Sequence, residues 1–342
     1  MSDDTQSLDL TAIDAYLRAH LVGYEGPLEA KKFAVGQSNP TFLLKTPARN
    51  YVLRRKPPGV LLKSAHAVDR EFRVQSALAD TDVPVPRMYL LCEDDAVIGS
   101  AFYVMEHLNG RNFSEPTMEG ETNATRTAVI DEMNRVLAAL HSVDIDAVGL
   151  SDYGPPGNYF ERQLSRWTKQ YRASETETIA DMDALIEALG RQMPADDGQR
   201  TLVHGDYRID NMMFEKGGTR CLGVLDWELS TIGHPYADLA AVIMQWQMPP
   251  GKEGRGLAGV DRAALGLPSD AAFIASYCAR RGIAGIEDFG FYLAFNFFRM
   301  AAIIQGVYKR ALDGNASNPE RAMRLGQYVA VFAQNGRRAL QG

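Results

Sequence analysis

The fifteen residues from Thr201 to Glu215, TLVHGDYRIDNMMFE, constrain the fold of this chain more than any other stretch. A His, two Asp and an Asn crowd between two apolar runs, Leu202-Val203 and Met212-Met213-Phe214. Each run is too short for a helix and suits a short strand, so the polar residues belong to a turn. KGGT then turns the chain back into CLGVLDWE, as a hairpin does. The pattern predicts a small β island of TLVH, MMFE and CLGV. A hairpin over 203–226 returns Asp226 to the loop, although it lies twenty residues after Asp206.

The flanks of this island differ in character. Residues 9–22 read as a short helix that Asp9 or Thr11 can cap. LEAKKFAVG, TFLLKT and NYVLRRK are three short runs separated by turn residues, which predicts a meander. SAHAVDREFRVQSALAD spaces its apolar residues for a helix of about four turns. VPVPRMYLLCEDD and SAFYVMEHL add two strands around an acidic turn. After EHLNG the chain becomes helical, with segments near 128–140, 159–172 and 179–193 before the island, and near 236–247, 269–282, 287–312 and 319–340 after it. The expected fold is α+β and bilobal: a β-rich first lobe with one helix over 1–106, and a mainly helical lobe over 107–342.

Length supports two lobes, because 342 residues exceed what one core usually serves. A net charge of -7 gives no support for nucleic acid or membrane as a partner. The most apolar stretch, FGFYLAFNFFRMAAIIQGVY, is broken by Asn296, Arg299 and Gln305 and reads as a buried core helix. Cys92, Cys221 and Cys278 match no disulfide or metal spacing, and the start MSDDTQSLDL is polar and acidic. A reducing, cytoplasmic setting is expected. The sequence does not specify an oligomeric state.

Phosphoryl transfer explains why Asp206, Asn211 and Asp226 stand together. A carboxylate must accept or orient the proton of an attacking hydroxyl, and Asp206 suits that role. An amide oxygen and a second carboxylate must hold Mg²⁺ against nucleotide phosphates, and Asn211 and Asp226 suit that one.

The spacing H-x-D-x-x-x-x-N in HGDYRIDN, followed by the Asp of GVLDWE, resembles the catalytic loop and magnesium Asp of the protein kinase-like fold. With Gly205 after the His, it is similar to the aminoglycoside phosphotransferase and choline kinase branch. YVLRRKPPG, REFRV, YVMEHLNGR, LAALHSVD, ERQLSRWTKQY and GHPYADLA resemble the phosphotransferase domain fused to some acyl-CoA dehydrogenases, over roughly residues 25–330. The resemblance implies ATP and Mg²⁺ as cofactors and a small-molecule hydroxyl as acceptor.

The resemblance also implies individual roles. Arg54 occupies the position of the strand lysine that contacts phosphates, a departure from most kinases, and Arg55 or Lys56 is the alternative. Glu71 is its helix partner. VGQSNPTF, with Ser38 and Asn39, stands where a phosphate-covering loop belongs, or is a plain turn. Adenine is expected at the backbone near Glu106 and Leu108. His204 is a buried imidazole that holds the loop, Asp238 braces it, and His141 is structural. Asp210 is a loop-stabilising or solvent-facing carboxylate, and Glu228 lies near metal or substrate.

Three acceptor readings follow. A hydroxyacyl-CoA is suggested by the subfamily and by the basic residues of 49–63. An aminoglycoside or amino alcohol is suggested by the wider branch. A nucleotide-binding pseudokinase module is the reading from outside enzymology, favoured by the departures at GQSNP and Arg54. A protein kinase fits poorly, since A-P-E and the Arg of the loop are absent. Residues 153–195, with Trp167, Tyr171 and Arg172, form the expected substrate-facing insertion.

Overall fold

The computed structural model describes residues 8–33, 39–57, 67–251, 253–316 and 318–341. The first part of the chain runs α1 (Leu10–His20), β1 (Glu29–Lys32), β2 (Thr41–Lys45), β3 (Asn50–Arg55), α2 (Val68–Leu78), β4 (Met88–Cys92), α3 (Asp95–Ile98), β5 (Phe102–Glu106) and β6 (Gly110–Arg111). The rest runs α4 (Asn123–Leu140), α5 (Tyr159–Ser174), α6 (Ala180–Arg191), β7 (Thr201–Val203), β8 (Met212–Glu215), β9 (Cys221–Val224), β10 (Thr231–Gly233), α7 (Tyr236–Trp246), α8 (Asp270–Arg281), α9 (Phe289–Leu312), α10 (Pro319–Gly326) and α11 (Val329–Ala339). These fall into two compact units. One holds Met1–Phe113, Ile145–Leu150 and Arg208–Ser230; the other holds Ser114–Asp144, Ser151–Tyr207 and Thr231–Gly342.

In the first unit, two-residue alternation sorts side chains between the faces of an antiparallel sheet ordered β1-β2-β3-β5-β4. Tyr51 and Leu53 of β3 join Phe42, Leu44, Phe102 and Val104 against Ile13 and Leu17 of α1. Val52 joins Tyr103 and Met105 against Val68 of α2 on the other face. Arg54 shares the parity of Val52 and therefore sits on the α2 face. α1 is capped as expected, with the Asp9 carboxylate accepting from Ala12 N. α2 has eleven residues, about three turns. The acidic turn before β5 contains the one-turn α3, which alternation does not signal.

The β island differs from its expected form. β8 and β9 do form a hairpin, and β6 joins them in a sheet ordered β6-β8-β9. β7 is not part of it: Thr201 to Val203 pair antiparallel with Gly233 to Thr231 of β10. β7 is thus a separate ribbon, and the hairpin bearing Asn211 and Asp226 clusters with the first unit. That division differs from a boundary after residue 106.

In the second unit, α9 is long and apolar enough to span a bilayer, yet 72% of that apolar window is buried. Its three polar interruptions each hold another element. Asn296 donates to the Ala237 carbonyl of α7, Gln305 donates to the Ser174 carbonyl that ends α5, and Arg299 donates to the Gly205 carbonyl after β7. The segment expected as one helix over 319–340 is two, α10 and α11, separated at Gln327-Tyr328. Gly326 lies close against the Tyr308 ring there.

Candidate active site

The first unit assembles a charge cluster around one guanidinium. Arg54 Nη2 donates to Asp226 Oδ1 at 2.7 Å. Arg54 Nε stands 3.0 Å from Glu71 Oε2, an ion pair whose angle falls outside hydrogen-bond alignment. Glu228 Oε2 is 3.6 Å from Nη2. Glu71 is buried, not a surface carboxylate, and accepts from Asn39 Nδ2 at 2.8 Å and from the Tyr103 hydroxyl at 3.1 Å. One cation therefore faces three carboxylates. Burial pushes the Glu71 carboxyl up to about 7; Arg54 and Tyr103 oppose the rise, while Asp226 and Glu228 add to it. Burial also disfavours charge on Arg54, but Glu71, Tyr103, Asp226 and Glu228 outweigh it and hold the guanidinium above its usual range.

The three adjacent cations have different surroundings. Arg55 points to the opposite face of the sheet, over the Phe42 ring at 5.8 Å, and donates to the Ile98 carbonyl. Lys56 shares Arg54's parity but pairs with Asp69 at 3.8 Å and is partly exposed. Only Arg54 joins Glu71 to Asp226.

Asn211 and Asp226 are neighbours through hairpin register. Met212 pairs with Val224, and the Leu225 N–H donates to the Asn211 carbonyl at 2.8 Å. Asn211 closes a 3-10 turn (Ile209–Asn211), which Asn112 ties down by donating to the carbonyls of Asp210 and Met212. Asp210 accepts from Arg208. Asp226 adopts φ 66 and ψ 63, a left-handed conformation that non-glycine residues seldom keep without surrounding constraint. The constraint is visible: Trp227 is buried and donates to the Val224 carbonyl, the Ser230 hydroxyl donates to the Trp227 carbonyl, and Arg70 of α2 donates to the Ser230 carbonyl.

The expected nucleotide-facing residues have mixed placements. Ser38 lies outside the described residues. Asn39 turns its amide onto Glu71, so its side chain braces the ion pair. Glu106 ends β5, where its N–H donates to the Arg87 carbonyl and its carboxylate accepts from the Arg87 N–H. Leu108 packs over Gly223, where an added Cβ would stand 2.5 Å from Leu108 Cδ1.

The second unit holds the loop with Asp206. His204 and Gly205 donate their N–H groups to the two oxygens of buried Asp238, at 2.7 and 2.9 Å. His141 Nε2 lies 3.5 Å from the same carboxylate, and its Nδ1 is 2.8 Å from the Tyr277 hydroxyl. An ionised carboxylate only accepts, so Nε2 carries the proton and Nδ1 accepts from Tyr277. Burial lowers the His141 pKa and keeps the ring neutral. Burial would raise Asp238, but His141, His204 and the backbone N–H hold it below its ordinary value. Gly205 has φ 82, which a side chain would strain. The Asp206 N–H donates to His204 Nδ1, and the Tyr207 hydroxyl donates to the Met133 carbonyl. His204, Asp238 and His141 are thus structural supports, as expected. Sequence reading missed Arg299, which braces this loop and was visible only as a polar break in an apolar helix.

Comparisons with known proteins agree with this geometry. Residues 29–286 match the profile of the phosphotransferase enzyme family. Acyl-CoA dehydrogenase family member 10 of Mus musculus is 44% identical over 316 residues, which cover 92% of this chain and 30% of that protein. The chain therefore spans less than a third of that relative. A solved structure from Ralstonia eutropha JMP134, provisionally described as an aminoglycoside phosphotransferase, is 49% identical with a TM-score of 0.90, covering 98% of this chain and 99% of that one. A ternary complex of APH(4)-Ia with ADP and hygromycin B has a TM-score of 0.62 at 14% identity, covering 97% of this chain and 99% of that one. At that identity the likeness shows the fold alone.

Proposed function

The chain belongs to the phosphotransferase enzyme family, and on that premise we propose that it transfers the γ-phosphoryl group of ATP to a hydroxyl of a small molecule, with Mg²⁺. The observation that carries this reading is the Arg54 guanidinium joined to both Glu71 and Asp226. Arg54 would hold nucleotide phosphates with its planar fork, and Glu71 would fix its position.

The residues present fit a divalent metal. Asp226 and Asn211 offer hard oxygen donors on adjacent hairpin positions, and Mg²⁺ takes oxygen ligands. The carboxylates around the single Arg54 cation leave net negative charge that a divalent cation would balance. When bound, the metal neutralises phosphate charge. Asp206 would orient the acceptor hydroxyl and take its proton, a contribution of about 10²–10⁴-fold in such chemistry. Bracing of its loop by Asp238 and Arg299 favours a fixed position for that carboxylate.

A hydroxyacyl-CoA is the acceptor we propose, supported by the name of the relative and by exposed Arg49 and half-buried Lys56. Lys63 lies outside the described residues. A cytoplasmic setting belongs to the same proposal, supported by three free cysteines. The test is Mg·ATP-dependent mass shift of hydroxyacyl-CoAs, aminoglycosides, choline and amino alcohols with the purified protein. A phosphorylated hydroxyacyl-CoA is the expected product; Mg·ATP binding without transfer to any acceptor would return the chain to the pseudokinase reading.

A further inference from the structure

The face of the second unit beside the Asp206 loop is basic and built around an indole. α5 carries Arg162, Arg166, Lys169 and Arg172, with Glu161 as its acidic residue. Two of these cations are engaged elsewhere. Arg172 pairs with Glu175 and Asp183, and Arg162 donates to the carbonyls of Pro156 and Gly157. Arg166 differs: it is exposed, and its Cζ lies 5.4 Å from the Trp167 ring. Arg299 of α9 approaches the same ring at 5.8 Å. Among the described residues, neither Arg166 nor Arg299 has a carboxylate within ion-pair distance. The Trp167 N–H donates to Gln163 Oε1 at 3.1 Å, which fixes the indole that both guanidiniums approach.

Arg299 links this cluster to the chemistry. One of its five N–H groups donates to the Gly205 carbonyl at 3.0 Å, one residue before Asp206. The field of Arg299, Arg162 and Arg166 also reaches the Tyr159 phenol, where it opposes the upward push of burial. Guanidiniums on an aromatic plate, without carboxylate partners, suit a planar or tetrahedral anion, which they bind through paired charge-assisted hydrogen bonds. The same arrangement repels a polycationic acceptor.

We infer that the acceptor is an anion, and that Arg166 and Arg299, both close to the Trp167 ring, hold its phosphate or carboxylate groups beside the Asp206 loop. This rests on the phosphotransferase reading above and narrows its acceptor. Arg299 is both a positioning residue for the loop and a ligand for the acceptor; Arg166 is a ligand alone.

The test uses acceptors matched except in charge: one hydroxyacyl group as its CoA thioester and as its neutral pantetheine thioester, with kanamycin and choline as cationic probes. Wild type is expected to favour the CoA thioester. Arg166→Ala is expected to raise its KM by roughly 5- to 20-fold with little change in kcat, as loss of one exposed charge-assisted contact would. Arg299→Lys should keep more activity than Arg299→Ala. Mg·ADP thermal shift should be unchanged in Arg166→Ala. Equal kcat/KM for the charged and neutral thioesters, preference for kanamycin or choline, or an unmoved KM in Arg166→Ala would overturn the inference and leave the kinase reading intact. Mg·ADP binding with no acceptor phosphorylated would overturn the phosphotransferase reading together with the inference, and so would absence of any Mg·ADP thermal shift.

Discussion

Asp238→Asn is the substitution whose cost can be worked most directly from the structure. The Asp238 carboxylate is buried and receives two backbone N–H donors, from His204 at 2.7 Å and Gly205 at 2.9 Å, with His141 Nε2 at 3.5 Å. An amide keeps one acceptor oxygen and turns an NH₂ toward the second N–H. One charge-assisted bond becomes a neutral one, and the other becomes a donor facing a donor. Hydrogen bonds to charged groups contribute about 1.5–3 kcal/mol each, and an unsatisfied buried donor costs about 1–3 kcal/mol, so a loss of roughly 3 kcal/mol is expected. Urea denaturation measures it as a lower midpoint at unchanged slope. The loop also loses register, and kcat should fall about 100-fold even where the protein is fully folded. The pH dependence has a definite sign. Asp238 is held below its ordinary value of 3.8, so its stabilisation is present above that value and fades as pH falls through the lower folded value. The difference between wild type and Asp238→Asn should shrink in that acid range. A stability change under about 1 kcal/mol at neutral pH, the level of an ordinary neutral hydrogen bond, would refute the view that this carboxylate holds the loop.

Other perturbations separate parts of the account. Arg54→Ala leaves buried Glu71 without its cation and should destabilise by about 3–5 kcal/mol, with Arg54→Lys milder; chemical denaturation checks both, and equal stability of Arg54→Ala would deny the pair a structural role. Gly205→Ala forces a Cβ into a left-handed position and should lower stability by about 1–2 kcal/mol with a larger loss of kcat; a neutral result would mean the loop can repack. Gly223→Val drives a side chain into Leu108 and should raise the KM for ATP while sparing kcat, which initial-rate kinetics with varied nucleotide would reveal.

The legible part of the fold was the part governed by local periodicity. Strands β1 to β5 show as short runs between turn residues, and two-residue parity along β3 placed Arg54 on the Val52 face, where Glu71 waits. β10 was illegible because Thr231-Ile232-Gly233 is too short to show a period, and its pairing with β7 depends on a partner far along the chain. The α10–α11 break was hidden because no proline marks it, and Gly326 serves a close approach to Tyr308. In the candidate site, residue types at fixed spacing singled out Asp206, Asn211 and Asp226, whose roles are the proposal above. Their supports were harder to read: Arg54 meets Asp226 across 172 residues, and Arg299 meets Gly205 across 94. No local pattern encodes such contacts, nor the one by which the Asn39 amide braces Glu71.

The central claim is that Asp206 and Asp226 serve phosphoryl transfer and not merely folding. Its most direct measurement is Mg·ATP-dependent phosphorylation of a hydroxyl acceptor by wild type, Asp206→Asn and Asp226→Ala, each shown to be folded by thermal denaturation. The account predicts that both variants lose at least about 100-fold in kcat/KM, and that only Asp226→Ala also weakens Mg·ATP binding. Folded variants that transfer phosphate at the wild-type rate would contradict it.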